Sequence, residues 1–208
     1  MNRKERAHIV RKHLEALFPN PPIPLNHKDP FTLLIAVILS AQCTDERVNK
    51  VTPSLFEKAS TPEQMLNLSQ EQLQNLIQTC GLAPTKSKNI LKLCAILVDE
   101  YKSCVPQSIE ELEKLPGVGR KTASVVAAQA FGIPAIGVDT HILRLTKRWG
   151  LSQSKTPLQT ERDLQKLYPK SIWKTIHLQM IYYGRRYCPA RNHTIENCPI
   201  CHELDTVV

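Results

Sequence analysis

The sequence predicts an all-α protein. Apolar residues recur at helical spacing along most of the chain, and no alternating strand pair interrupts them. Pro, Gly and capping residues punctuate that pattern at short intervals. At 208 residues the chain suits one compact domain or two small ones and can bury a core. Its 42% apolar and 22% charged residues exclude wholesale disorder.

The first expected helix covers 3–18, with Ile9, Val10, Leu14 and Leu17 on one face and a basic face opposite; Pro19 and Pro21–Pro22 stop it. A second, over 31–41, is apolar nearly all round and belongs in a core. Amphipathic segments follow near 45–58, 62–66, 70–79 and 86–102, separated by Pro53, Thr61–Pro62, Ser69 and the Gly81 to Pro84 turn. Ser108 with Glu111 is a capping-box signature for a helix that ends at Leu115–Pro116. Gly117 and Gly119 bracket a tight turn, and a helix over 120–131 places Ala123, Val126, Ala127 and Ala130 on one face before Gly132 stops it. Past Pro134, helices are expected near 139–149, 157–167 and 171–183, then a cysteine-containing coil.

Lys and Arg outnumber Asp and Glu by 27 to 19, a net charge of +8 that draws the chain to polyanions, of which nucleic acid is the commonest large one. Aromatics are only 5%, which argues against an aromatic-lined single-strand platform. The N-terminus is charged throughout and lacks a signal-peptide core, and Phe31 to Leu39 is too short to span a bilayer. A cytoplasmic, nucleoid-associated protein with no membrane partner is expected. Seven cysteines are an odd count for a disulfide framework. Cys43, Cys80, Cys94 and Cys104 read as small core residues, whereas Cys188, Cys198 and Cys201 cluster and need another explanation.

LPGVGRKTA, Leu115 to Ala123, is the most informative stretch. Gly117 and Gly119 let the backbone approach another surface, and their N–H groups with the following helix N-terminus form a nest suited to phosphate. Arg120 and Lys121 add positive charge there; a plain helix–turn–helix corner is the alternative. A lysine in a helix's first turn opposes the macrodipole. With partial burial, that field would free the amine of Lys121 to attack carbon. Downstream, in GVDTHILRL, Asp139 sits at a helix start, either as an N-cap or as a carboxylate that stabilises a developing sugar cation. Lysine and carboxylate together suit cleavage of an N-glycosidic bond, with Lys121 capturing C1′ as a Schiff base.

LPGVGRKTA, VDTHILRL and LLIAVILSAQCTDERVNK (Leu33 to Lys50) make the chain resemble the endonuclease III family of helix–hairpin–helix DNA repair glycosylases, over nearly its whole length to about Cys188. The resemblance implies Lys121 as nucleophile and Asp139 as catalytic acid, in a bifunctional enzyme that removes oxidised pyrimidines from duplex DNA and cleaves the abasic strand by β-elimination. It further implies that Gln42 fills the gap left by the flipped nucleotide and that Leu82 wedges the stack, since inserted side chains partly restore stacking. Asp45 is similar to an acidic pocket residue of the family and equally suits a cap for the 45–58 helix. His141 is a pocket or packing residue. A six-helix barrel over 23–134, with its helix–hairpin–helix at about 108–132, and a second helical domain from 1–22 and 135–208 are expected, with Lys121 and Asp139 on facing walls of a cleft. The expected partner is double-stranded DNA carrying a damaged pyrimidine or abasic site, bound by a monomer. A non-catalytic or monofunctional DNA-binding protein is the alternative.

The tail departs from the pattern. The family usually ends in four cysteines spaced C-x6-C-x2-C-x5-C around a [4Fe–4S] cluster. Here nine residues separate Cys188 from Cys198, two separate Cys198 from Cys201, and no fourth cysteine follows. Three thiolates could hold a cluster with His202, His193, Asp205 or solvent on the fourth iron; three cysteines and a histidine also suit zinc; a site without metal is the third option. Arg185, Arg186, Arg191 and His193 nearby would suit DNA-backbone contact.

Overall fold

A computed structural model describes residues 1–206; Val207 and Val208, the end of the expected second domain, lie outside the described residues. Among the described residues there is no strand, and no helix is long and apolar enough to cross a membrane. Two compact units form, one from Ile23–Ile133 and one from both ends of the chain, Met1–Pro22 and Pro134 onward.

The Ile23–Ile133 unit contains α2 (Pro30–Leu39), α3 (Asp45–Lys58), α4 (Pro62–Leu66), α5 (Gln70–Ile77), α6 (Ala83–Tyr101), α7 (Ile109–Glu113) and α8 (Arg120–Phe131). Asp29 and Thr32 close a capping box at the start of α2, and Phe31 through Leu39 are all buried. That helix packs against α8, whose Ala123 to Ala128 stretch is buried and whose small residues permit a close approach. Ser69 and Gln72 form the reciprocal box of α5. At α7 only half of the expected box forms. The Ser108 hydroxyl accepts from Glu111 N–H at 3.1 Å, but the Glu111 carboxylate turns to Lys114 and the Tyr101 hydroxyl instead. The sequence places Pro84 in a turn before a helix at 86; in the structure it lies in the first turn of α6, where a missing N–H costs nothing.

The second unit packs α1 (Arg3–Leu17), α9 (Thr140–Arg148), α10 (Pro157–Leu167), α11 (Trp173–Arg186) and α12 (Pro199–Thr206) around Trp149 and Tyr183, whose rings meet edge-on at 5.6 Å. On α1 the inward face is Ala7, Val10 and Leu14, while Leu17 is exposed. Two expectations fail in the tail. Its end is a helix, α12, opened by Pro199 at its first position, and α11 runs on to Arg186. Among the scattered cysteines, Cys80 and Cys94 are core residues, Cys43 is half-buried and Cys104 is exposed.

Candidate active site and metal cluster

In the Ile23–Ile133 unit the hairpin is built from Leu115 and Val118, both buried, with Val118 N–H donating to Leu115 C=O at 3.1 Å. Gly117 adopts φ +80°, and a Cβ there would meet the Asn89 side chain at 3.1 Å, so both backbone and packing require glycine. Gly119 differs: it is the N-cap of α8, and a Cβ there would meet nothing within 4 Å. No side chain caps α8, so its first N–H groups keep their capacity for an anion. Arg120 is half-buried and pairs with Glu113 at 3.2 Å. Lys121 occupies the second position of α8 and is exposed, so the expected partial burial is not met.

The loops carrying Gln42 and Leu82 come together. Both residues are exposed and left-handed, at φ 53° and 51°, and a Cβ on Gly81 would lie 3.6 Å from the Gln42 carbonyl. A residue that the sequence reading missed ties them. Lys86, 5% exposed, donates from Nζ to the carbonyls of Leu39 (2.8 Å), Ala41 (2.7 Å) and Cys80 (2.7 Å). Burial holds its pKa below the ordinary lysine range. The ammonium therefore clamps the exit of α2 to the Cys80–Leu82 turn, and its favourable place at the negative end of α2 offsets part of its desolvation. Asp45 is not the cap of α3; the Thr44 hydroxyl accepts from Arg47 N–H at 3.2 Å, and half-buried Asp45 begins the first turn.

In the other unit, Asp139 caps α9, its Oδ1 accepting from Ile142 N–H at 2.9 Å, and it is half-buried. Nδ1 of His141 lies 3.1 Å from an Arg144 guanidinium nitrogen. The same arginine donates to the carbonyls of Gly184 (3.2 Å) and Cys188 (3.1 Å). Arg148 donates to Pro189 C=O at 2.7 Å and to Cys188 Sγ at 3.2 Å. Neither arginine was singled out in the sequence, and together they bind the helix that Asp139 caps to the cysteine loop.

Cys188, His193, Cys198 and Cys201 converge, each offering a ligand atom within 4.8 Å of the others, so this group could hold a metal ion. His202 and Asp205, the other candidate ligands of the tail, are exposed and stand outside it. The thiols of Cys188 and Cys201 hold Cys198 well below the ordinary thiol range. The buried Tyr183 hydroxyl sits 3.3 Å from Cys198 Sγ and accepts from Ile200 N–H at 2.9 Å, which fixes the start of α12. Arg185, Arg186 and Arg191 are exposed, with Arg186 over the Tyr187 ring at 5.3 Å.

Residues 35–170 match the family model of HhH-GPD superfamily base excision DNA repair proteins, a span that holds Lys121 and Asp139 and stops short of Cys188, Cys198 and Cys201. The chain is 44% identical to the endonuclease III of Synechocystis sp. over 97% of its length and 92% of that protein. It is 45% identical to the endonuclease III of Bacillus subtilis over 88% of its length and 84% of that protein. A solved structure of a trapped endonuclease III–DNA covalent intermediate matches with TM-score 0.93 at 44% identity, over 100% of this chain and 99% of that one. The chain belongs to the endonuclease III family, and its activity is that of a DNA glycosylase and abasic-site lyase of base excision repair.

Proposed function

We propose that the protein removes oxidised or ring-saturated pyrimidines from duplex DNA and then nicks the abasic strand, with Lys121 as nucleophile. The observation that carries this reading is an exposed lysine in the first turn of a helix whose start follows a glycine hairpin and has no side-chain cap. Phosphate held by the amides of that turn would set the DNA backbone beside the amine. The Lys121 amine attacks C1′, the N-glycosidic bond breaks, and the base leaves with a proton. The nitrogen gives up one proton, and its lone pair then expels O4′, which takes up a proton, so the sugar opens to a protonated Schiff base. Removal of a C2′ proton then expels the 3′ phosphate by β-elimination, and water releases Lys121. The Asp139 carboxylate stabilises the positive charge that develops on the sugar and carries protons in these steps.

Gln42 and Leu82 serve as the gap filler and wedge; their left-handed loops, clamped by Lys86, present both side chains to solvent. Inserting them offsets part of the few kcal/mol that base extrusion costs. Asp45 and His141 serve as recognition residues for the base, and Arg120, Arg185, Arg186 and Arg191 contact phosphates. The cysteine cluster holds a metal in a structural role, and the protein works at the nucleoid in the cytoplasm.

Borohydride trapping on duplex DNA with a single thymine glycol tests the reading. The wild type should form a covalent adduct, and Lys121→Ala should form none while retaining DNA binding. Asp139→Asn should slow base release at least about a hundredfold, the scale of a lost general acid–base group. An adduct with Lys121→Ala, or full base release by Asp139→Asn, would remove the assigned roles.

A further inference from the structure

The four metal-facing residues lie too close together for the cluster that the family spacing implies. In a [4Fe–4S] cubane each thiolate sits outside a different iron, which spreads the ligand sulfurs to roughly 6 Å from one another. Around a single tetrahedral zinc, with Zn–S near 2.3 Å and Zn–N near 2.0 Å, three sulfurs and a nitrogen are about 3.5–3.8 Å apart. Here all four lie within 4.8 Å of one another, and Cys188 Sγ is 4.0 Å from Cys201 Sγ. No room for four irons and four sulfides exists inside that tetrahedron.

The donors agree with the distances. The longer segment between Cys188 and Cys198 turns through left-handed Asn192, at φ 55°, and delivers His193. Nε2 of His193 is shielded from solvent and has no hydrogen-bond partner, an orphaned buried donor–acceptor of the kind a ligand satisfies. An imidazole with three thiolates is a common closed set for structural zinc, whereas a four-iron cluster takes thiolates on its irons. Cys188 and Cys198 are fully buried, as in a closed site. Three thiolates on a dication leave one negative charge, which the Arg148 guanidinium at 3.2 Å from Cys188 Sγ compensates. His193 and Cys201 also line a solvent-open hollow with Arg6 and Arg148, a path by which an ion can enter.

We infer that Cys188, His193, Cys198 and Cys201 bind one zinc ion in a closed tetrahedral site, in place of a four-iron cluster; this rests on the metal-holding role proposed for the tail. The zinc is structural and redox-inert. It fastens the 188–201 loop onto the helix capped by Asp139, through the hydrogen bonds of Arg144 and Arg148 to that loop.

The test is metal and acid-labile sulfide analysis of the full chain, purified without oxygen from cells supplied with both iron and zinc. The expected result is about one zinc per chain, as a four-ligand site requires, with no sulfide and no visible iron–thiolate absorption. Cobalt exchanged into the site should show tetrahedral thiolate bands. His193→Ala should shift those bands and lose metal to a chelator at least about tenfold faster, while His202→Ala leaves both unchanged. His193→Cys should retain zinc. Iron and sulfide in equal number would overturn the zinc assignment and leave a metal-holding tail; absence of any metal from the wild type would overturn both. An unshifted cobalt spectrum in His193→Ala would remove His193 from the ligand set.

Discussion

Lys86 concentrates the physical demands of the Ile23–Ile133 unit in one side chain. A buried ammonium is costly unless its three donors are met, and here three carbonyls meet them, two from the exit of α2 and one from Cys80. Lys86→Met keeps the aliphatic stem but orphans those carbonyls, so stability should fall by about 2–3 kcal/mol in denaturant unfolding. The loops of Gln42 and Leu82 would also lose their common anchor. Single-turnover base release should then slow at least tenfold, while affinity for undamaged duplex, set by phosphate contacts, stays close to wild type. A stability loss with unchanged base release would make Lys86 a packing residue alone. Nothing in the sequence near Lys86 announces this role. Its partners are backbone carbonyls, which carry no residue signature, and two of them lie 45 and 47 positions away.

At the scale of elements, the approach of α9 to α11 depends on Gly184. A Cβ there would lie 3.1 Å from Leu145 Cδ1, 3.4 Å from Arg144 Nη2 and 3.6 Å from His141 Nδ1. Gly184→Ala gains up to about 1 kcal/mol of helix propensity but must push Leu145 and Arg144 aside, an overpacking cost of about 1–3 kcal/mol. The net expectation is a destabilisation of about 1 kcal/mol, read as a lower denaturant midpoint at unchanged slope. An unchanged midpoint would show that α9 can yield without strain. This glycine lies in the last turn of α11, just past the expected helix end at 183, and the packed neighbour explains its place inside the helix. Where local chemistry decides an element, the sequence is readable. The expected spans of α3, α4, α8 and α10 match those observed, because a Thr or Gly cap starts each of them and Gly132 and Pro169 follow α8 and α10; Pro53, expected as a separator, lies inside α3 without ending it. It fails where tertiary context decides. The α12 helix has a proline start but owes its orientation to the Tyr183 hydroxyl and the cysteine cluster. The site shows the same division: the hairpin of Lys121 and the cap at Asp139 are local motifs, while Arg144 and Arg148 act through partners about 40 residues away.

Across the whole molecule, the net charge of +8 sets how the protein meets DNA, and the arrangement of individual cations decides how much of it counts. Binding that neutralises phosphates releases counterions, and the logarithm of affinity falls with the logarithm of salt at a slope near −0.9 per phosphate. Arg120, Arg185, Arg186 and Arg191 as phosphate neighbours predict a slope of about −3 to −4 for undamaged duplex. The contributions are unequal. Arg120 is already paired with Glu113, so its charge is partly compensated before DNA arrives, and Arg120→Ala should change the slope by well under one. Arg191 is exposed in the loop between Cys188 and Cys198, and Arg191→Ala should reduce the slope by about 0.9, with metal content checked to be unchanged. Fluorescence anisotropy over a salt series gives both numbers. Equal effects of the two substitutions would mean that the Glu113 pair opens at no cost on binding. No effect of Arg191→Ala would remove the cysteine loop from the DNA interface and leave the hairpin as the principal electrostatic contact.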